Sequence, residues 1–227
     1  LALAGCRVTV IEPSPNALAT LHRRAVEAGV GARITAIQGD TDALAELVPA
    51  ERADLVLGHG VLEVVDDVPA ALASLRTATA PGGAISVLVA NRYAAVLHRA
   101  QAGRLTDAIA LLDGDIGRLR GDSGRFGESQ VHDGQPGAEL PDMPGEQPLR
   151  RFDVEELLAV LDEAGLIVES VLGDGVVADL VPAVLLESSP KVAAALAELE
   201  ARAASRPPLR DIATRLHALA RRATAHA

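Results

Sequence analysis

Several polar groups stand directly behind short apolar runs, the positions at which a chain leaving a β-strand can bring its backbone and side chains to a ligand. Glu12 follows the run 7–11 (RVTVI). A carboxylate at such a tip accepts hydrogen bonds from both hydroxyls of a ribose, although capping the next helix would also employ it. The run 33–38 ends in Gln38-Gly39-Asp40-Thr41-Asp42. Asp42 suits an exocyclic adenine amine because its carboxylate accepts without donating, and Thr41 or Asp42 would equally serve as a helix N-cap. His59 lies between Gly58 and Gly60 after the run 54–57. The flanking glycines leave its ring open to a crevice, which favours ligand contact over a purely structural role.

Elements of two kinds must hold these groups in place. Short β-branched runs at 7–11, 33–38, 54–57 and 84–90 alternate with amphipathic stretches at 15–28, 41–47 and 67–79, the pattern of a parallel sheet with crossover helices. Ser14 before Pro15 marks one helix start, and Gly29 its end. Residues 92–112 read as helix interrupted near Gly103. Asp153 followed by Glu156 forms a capping box for a helix closed by Gly165, with a strand at 166–172 and an amphipathic helix at 190–205 beyond. The alanine-rich LHALAR (216–221) favours helix by composition but alternates closely enough for a strand. Residues 113–148 are dense in Gly, Pro, Ser and acids and read as an insertion or lid within one domain spanning 1–227.

Composition narrows the function classes. The hydrophobic fraction of 49% supports a full core, built from Leu, Val and Ala because the aromatics are only Tyr93, Phe126 and Phe152. Stacking platforms for single-stranded nucleic acid are therefore scarce. A formal charge of −10 argues against a broadly nucleic-acid-coated or anionic-membrane surface, while six arginines against one acid in residues 201–227 leave room for a local basic track. One cysteine, Cys6, suits a reducing cytoplasm. Six scattered histidines speak against a metal site. No apolar run reaches the roughly 18 residues of a membrane helix.

Taken together, Glu12, the Thr41–Asp42 pair, DLVLGHGVLEVVDD (54–67) and LRTATAPGGAISVLVAN (75–91), with its Pro81-Gly82-Gly83 entry to a strand, resemble class I S-adenosylmethionine (SAM) dependent methyltransferases. Within that family the segments 59–67 and 81–105, the stretch 151–175, SPKVAAALAELEARAASRPP and LHALARR resemble bacterial tRNA 5-carboxymethoxyuridine methyltransferases. The resemblance implies a Rossmann-like α/β fold, a mostly parallel seven-stranded sheet with helices on both faces. In it LHALARR is the last strand, antiparallel at one side of the sheet. It implies Glu12 at the SAM ribose, Thr41 and Asp42 at the adenine, His59 at the methionine side, and Gly58 and Gly60 permitting close approach. The family's first strand and glycine-rich loop would precede Leu1, with that strand lying between those at 7–11 and 54–57.

Methyl transfer from a sulfonium is a direct displacement in which alignment is the protein's main task. A carboxylate acceptor is already ionised at neutral pH and needs no base, but it needs a cation to orient it. Asn91-Arg92-Tyr93 leaves the strand 84–90 on the crevice side, so Arg92 is expected to orient substrate and Tyr93 to form a wall of its site. Arg150 and Arg151 are a second cationic pair. Three functions follow: methylation of the carboxymethoxyuridine carboxylate in tRNA, methylation of a small molecule, or a noncatalytic SAM-binding module. A nicotinamide-binding domain fits less well, because Pro-Gly-Gly is not part of its fingerprint.

Overall fold

The computed structural model describes residues 1–113 and 150–224; the lid expected at 113–148 falls, apart from Asp113, outside the described residues. Strands β1 (Val8–Glu12) and β2 (Ile34–Gln38) pair in parallel from Val8 opposite Ile34 to Glu12 opposite Gln38. Helix α1 (Pro15–Glu27) connects them, with Ser14 Oγ accepting the Ala17 N–H at 3.3 Å and Gly29 taking φ +67° beyond its end. A short helical turn and α2 (Leu44–Leu47) lead to β3 (Ala53–His59), and α3 (Val68–Ala78) leads to β4 (Thr79–Ala90). Helices α4 (Arg92–Gln101) and α5 (Leu105–Leu112) break where Gly103 takes φ +74°. The described chain resumes into α6 (Val154–Glu163), β5 (Leu166–Asp174), α7 (Ala183–Ser188), α8 (Pro190–Ala203) and β6 (Arg215–Arg222).

Of the expected seven-stranded sheet the described residues hold six strands, in two sheets, one of two strands and one of four in the order β3-β4-β6-β5. In the larger sheet β3 and β4 are parallel, and β6 runs antiparallel to both β4 and β5. Expected at one side of the sheet, the terminal strand is instead inserted between two neighbours. Its composition is overridden there: with a ladder on each flank its backbone polar groups are paired, and Leu216, Ala218 and Ala220 alternate into the core with no exposure. Strands β1 and β3 each end their own sheet and are not paired with one another.

The core lies on one face of the larger sheet. Ile85, Val87 and Val89 of β4 and Leu216 of β6 pack against Leu72 and Leu75 of α3 and Leu157 and Leu161 of α6. Each such side chain contributes about 1.5–3 kcal/mol by leaving water. Two glycines permit the packing. A Cβ on Gly58 would stand 2.9 Å from Leu75 Cδ1, so this glycine serves the β3–α3 contact. A Cβ on Gly83 would stand 2.8 Å from the Ala80 carbonyl oxygen, where the Pro-Gly-Gly segment forms a bulge between the pairs Ala53–Thr79 and Leu55–Ala84. The strand therefore begins at Thr79, inside the stretch expected to be helix and turn.

Candidate active site

Three clusters gather where strands end. At the tip of β1, Glu12 Oε1 accepts the Ser14 N–H at 2.9 Å, while its Oε2 makes no hydrogen bond among the described residues. The end of β2 is tied to the same tip by the Gly39 N–H donating to the Glu12 carbonyl at 3.3 Å and by Gln38 Nε2 donating to the Pro13 carbonyl at 3.3 Å. The next turn is capped by Asp40, whose Oδ1 accepts the Thr41 N–H at 2.6 Å, and not by Thr41 or Asp42 as the sequence suggested. Glu12 and Thr41 are thus brought to one end of the smaller sheet; Asp42 lies in that turn. His59 stands at the tip of β3 in the larger sheet, with no hydrogen bond to either group.

His59 is not alone. Its Nε2 lies 2.8 Å from Ser86 Oγ on β4, and that hydroxyl lies 2.7 Å from His217 Nε2 on β6. The two rings meet edge to face with centroids 5.8 Å apart. The register explains the meeting: His59 is opposite Leu88, Leu88 is opposite His217, and Ser86 is two residues back, so all three side chains share the face away from the core. Burial first, then the charges of His217 and Arg215, hold the His59 imidazole below the ordinary histidine value. Gly60 turns the chain directly after it with φ +71°.

The exit loop beyond β3 is held by Glu63. Its Oε1 accepts the Ala90 N–H at 2.9 Å, at the end of β4, and its Oε2 is buried without a hydrogen-bond partner. Burial pushes this carboxyl up, against the pull of its two backbone N–H bonds and of Arg151 and Arg215. The Glu63 carbonyl accepts the Arg150 N–H at 2.9 Å, and the Arg150 guanidinium donates to the Val65 carbonyl at 3.2 Å. Arg150 is therefore committed to the loop backbone.

Asn91 and Arg92 are equally committed. Asn91 is fully buried: its Nδ2 donates to the Asp211 and Ala213 carbonyls at 2.9 and 2.6 Å, and its Oδ1 caps α4 by accepting the Tyr93 N–H at 3.0 Å. It anchors the chain and presents no surface to a substrate, contrary to the sequence expectation. Arg92 donates to Asp153 Oδ2 at 3.0 Å and to the Glu156 carboxylate at 2.5 Å, joining α4 to the capping box of α6, in which Asp153 and Glu156 exchange backbone and side-chain bonds as expected. Tyr93 is partly exposed on the first turn of α4. A cleft of about 620 Å³ is lined by Asp66, Asp67, Arg92, Arg151, Phe152 and Glu156, among others. Asp66, Asp67 and Glu156 balance Arg92, Arg150 and Arg151 in its lining, so it carries no strong net charge.

Sequence reasoning missed Glu63, Ser86, His217 and the Arg92–Asp153–Glu156 network. Ser86 had a signal, being the lone polar residue within the apolar run AISVLVA. The others meet only through tertiary pairing. Among the described residues no three His, Cys, Asp or Glu side chains gather as a metal site, and no helix is long and apolar enough to cross a membrane.

Residues 1–87 match the methyltransferase domain family. No curated protein matches the chain. Among solved structures it is similar to a SAM-dependent methyltransferase from Mesorhizobium loti, at 19% identity and a TM-score of 0.51, covering 95% of this chain and 80% of that one. It is likewise similar to a SAM-dependent methyltransferase from Methanosarcina mazei, at 11% identity and a TM-score of 0.58, covering 98% and 85%. A geranyl diphosphate methyltransferase in complex with SAM aligns at 14% identity and a TM-score of 0.52, covering 96% and 69%. The fold is that of SAM-dependent methyltransferases.

Proposed function

We propose that this chain is a methyltransferase that moves the methyl group of SAM to a small organic acceptor. The observation that carries the reading is the match of residues 1–87, the stretch holding Glu12, Thr41, Asp42, Gly58, His59 and Gly60, to the methyltransferase domain family. SAM supplies an electrophilic methyl carbon on a sulfonium. The residues present fit it: Glu12 keeps one carboxylate oxygen open for a ribose hydroxyl, and the backbone at Gly60 turns sharply beside His59. Thr41 and Asp42 would hold the adenine and His59 the methionine end.

A small acceptor is favoured over a tRNA. Of the six arginines at 201–227, five are paired with carboxylates of this chain: Arg202 with Glu198, Arg210 with Asp211, Arg215 with Asp174, Arg221 with Glu169 and Arg222 with Glu51. Arg202 lies on α8, Arg210 in the turn 210–212, and Arg215, Arg221 and Arg222 on β6, and with their charges already paired they offer no open phosphate track. A second reading, methylation of a carboxymethoxyuridine carboxylate in tRNA, draws support from Arg151, which lines the cleft. Radiolabelled SAM incubated with the protein and small-molecule extract, with and without excess tRNA, separates the two. Methylated small molecules formed at an unchanged rate in tRNA support the first reading; label appearing only in tRNA refutes it. Calorimetry showing no SAM binding would refute both.

A further inference from the structure

We propose that His59, backed by Ser86 and His217, is the proton acceptor of this site, and that the methyl acceptor is accordingly a protic nucleophile, a hydroxyl or an amine, and not a carboxylate. The inference rests on the methyltransferase reading.

The geometry has a consequence in hydrogens. Ser86 Oγ lies within hydrogen-bond distance of both Nε2 atoms, and a hydroxyl has a single hydrogen. In the neutral cluster one ring donates to Ser86 and the other accepts from it. With His59 donating through Nε2–H, the serine hydrogen points to His217 Nε2 and the free electron pair of His59 sits on Nδ1. Nδ1 makes no hydrogen bond among the described residues, and His59 is exposed at a strand C-terminus, where open α/β sheets present groups to ligands. A buried serine, 5% exposed, is an expensive group to place on a sheet face without partners, and here both partners are imidazoles.

The step balances as follows. An electron pair of the acceptor oxygen or nitrogen forms the bond to the methyl carbon, the sulfur–methyl pair stays on sulfur as a thioether, and the acceptor's proton goes to His59 Nδ1. The Nε2–H can then pass to Ser86 as the serine hydrogen passes to His217, moving the positive charge across β4 to β6, two strands from His59. Arg215 of β6, paired with Asp174 of β5 at 2.5 Å, is the other charge facing the cluster, and it helps keep His59 neutral and ready to accept. Ser86 and His217 act through His59 and are positioning residues.

The test follows the imidazoles by NMR, using ¹⁵N-labelled full chain, Ser86→Ala and His217→Asn, with and without SAM. The expected results are an Nε2–H tautomer of His59 that titrates below the ordinary histidine value, a rise toward that value in His217→Asn, where the facing imidazole charge is gone, loss of the single fixed tautomer in Ser86→Ala, and a further fall when SAM binds, because the sulfonium charge disfavours a second cation nearby. Calorimetry is run on the same samples. SAM that binds while leaving His59 unmoved, or a His59 indifferent to both variants, overturns the proposal and leaves the methyltransferase reading standing. Absence of SAM binding overturns the reading itself, whatever the histidines do.

Discussion

Replacing Arg92 with methionine tests whether this residue is a tie within the fold or a free substrate clamp. Its side chain is 10% exposed and is held by Asp153, 12% exposed, and Glu156, 43% exposed. Removing one partner of a buried pair costs about 3–5 kcal/mol, because the other charge stays buried and uncompensated. Here the cost falls at the low end, since Asp153 Oδ1 keeps the Glu156 N–H at 2.9 Å at the positive end of α6. Glu156, half open to water, adds no more than about 1 kcal/mol. The expected loss is roughly 3–4 kcal/mol, a fall in Tm of roughly 6–16 °C for a domain of this size. Urea and thermal denaturation read by circular dichroism measure it. Asp153→Asn in the Arg92→Met background should recover part of the loss, since the buried charge is then gone. A variant within about 0.5 kcal/mol of the parent, with no coupling to Asp153, would refute the reasoning and return Arg92 to the role of a free cation.

Glu63→Gln tests the buried carboxyl. A group with a raised folded-state value contributes its stability below its unfolded value and loses it as pH rises through the folded one, so the glutamine variant should match the parent near pH 4 and exceed it in Tm at pH 7 to 8. For His59 the sign is opposite: its folded-state value is depressed, so stability is full above about pH 6.5 and falls as pH drops below it, a dependence that His59→Gln should flatten in acid-denaturation curves. Gly83→Ala should lose about 1–3 kcal/mol by urea denaturation, because the added carbon meets the Ala80 and Ala53 carbonyls, which belong to the backbone, as well as the buried Thr79 Cγ2. Glu200 of α8 accepts the N–H groups of Val176, Val177 and Ala178 at 2.9, 2.6 and 2.6 Å; Glu200→Ala should speed amide hydrogen exchange selectively in that loop.

Local chemistry was legible wherever a residue's neighbours in sequence are its neighbours in space. The capping box at Asp153 and Glu156, the serine–proline start of α1, the break at Gly103 and the strand tips carrying Glu12 and His59 all rest on contacts within a few residues. The capping of the turn at residue 40 was misjudged by one position because three adjacent residues, Asp40, Thr41 and Asp42, can each cap, and only the backbone angle selects Asp40. Arg92 was read from its place after a strand; it lines the cleft, and its partners lie 61 and 64 residues away.

From the sequence alone come the alternation of strands and helices, the apolar faces, and the polar groups at strand ends, because period and capping are local properties of the chain. Tertiary structure alone decided that LHALARR is a strand inserted between β4 and β5, since pairing on both flanks outweighs alanine's helical preference. It likewise decided that Ser86 joins His59 to His217, a residue 131 positions further along the chain. Register between β3, β4 and β6 sets that meeting, and register is a property of paired strands that no single segment contains.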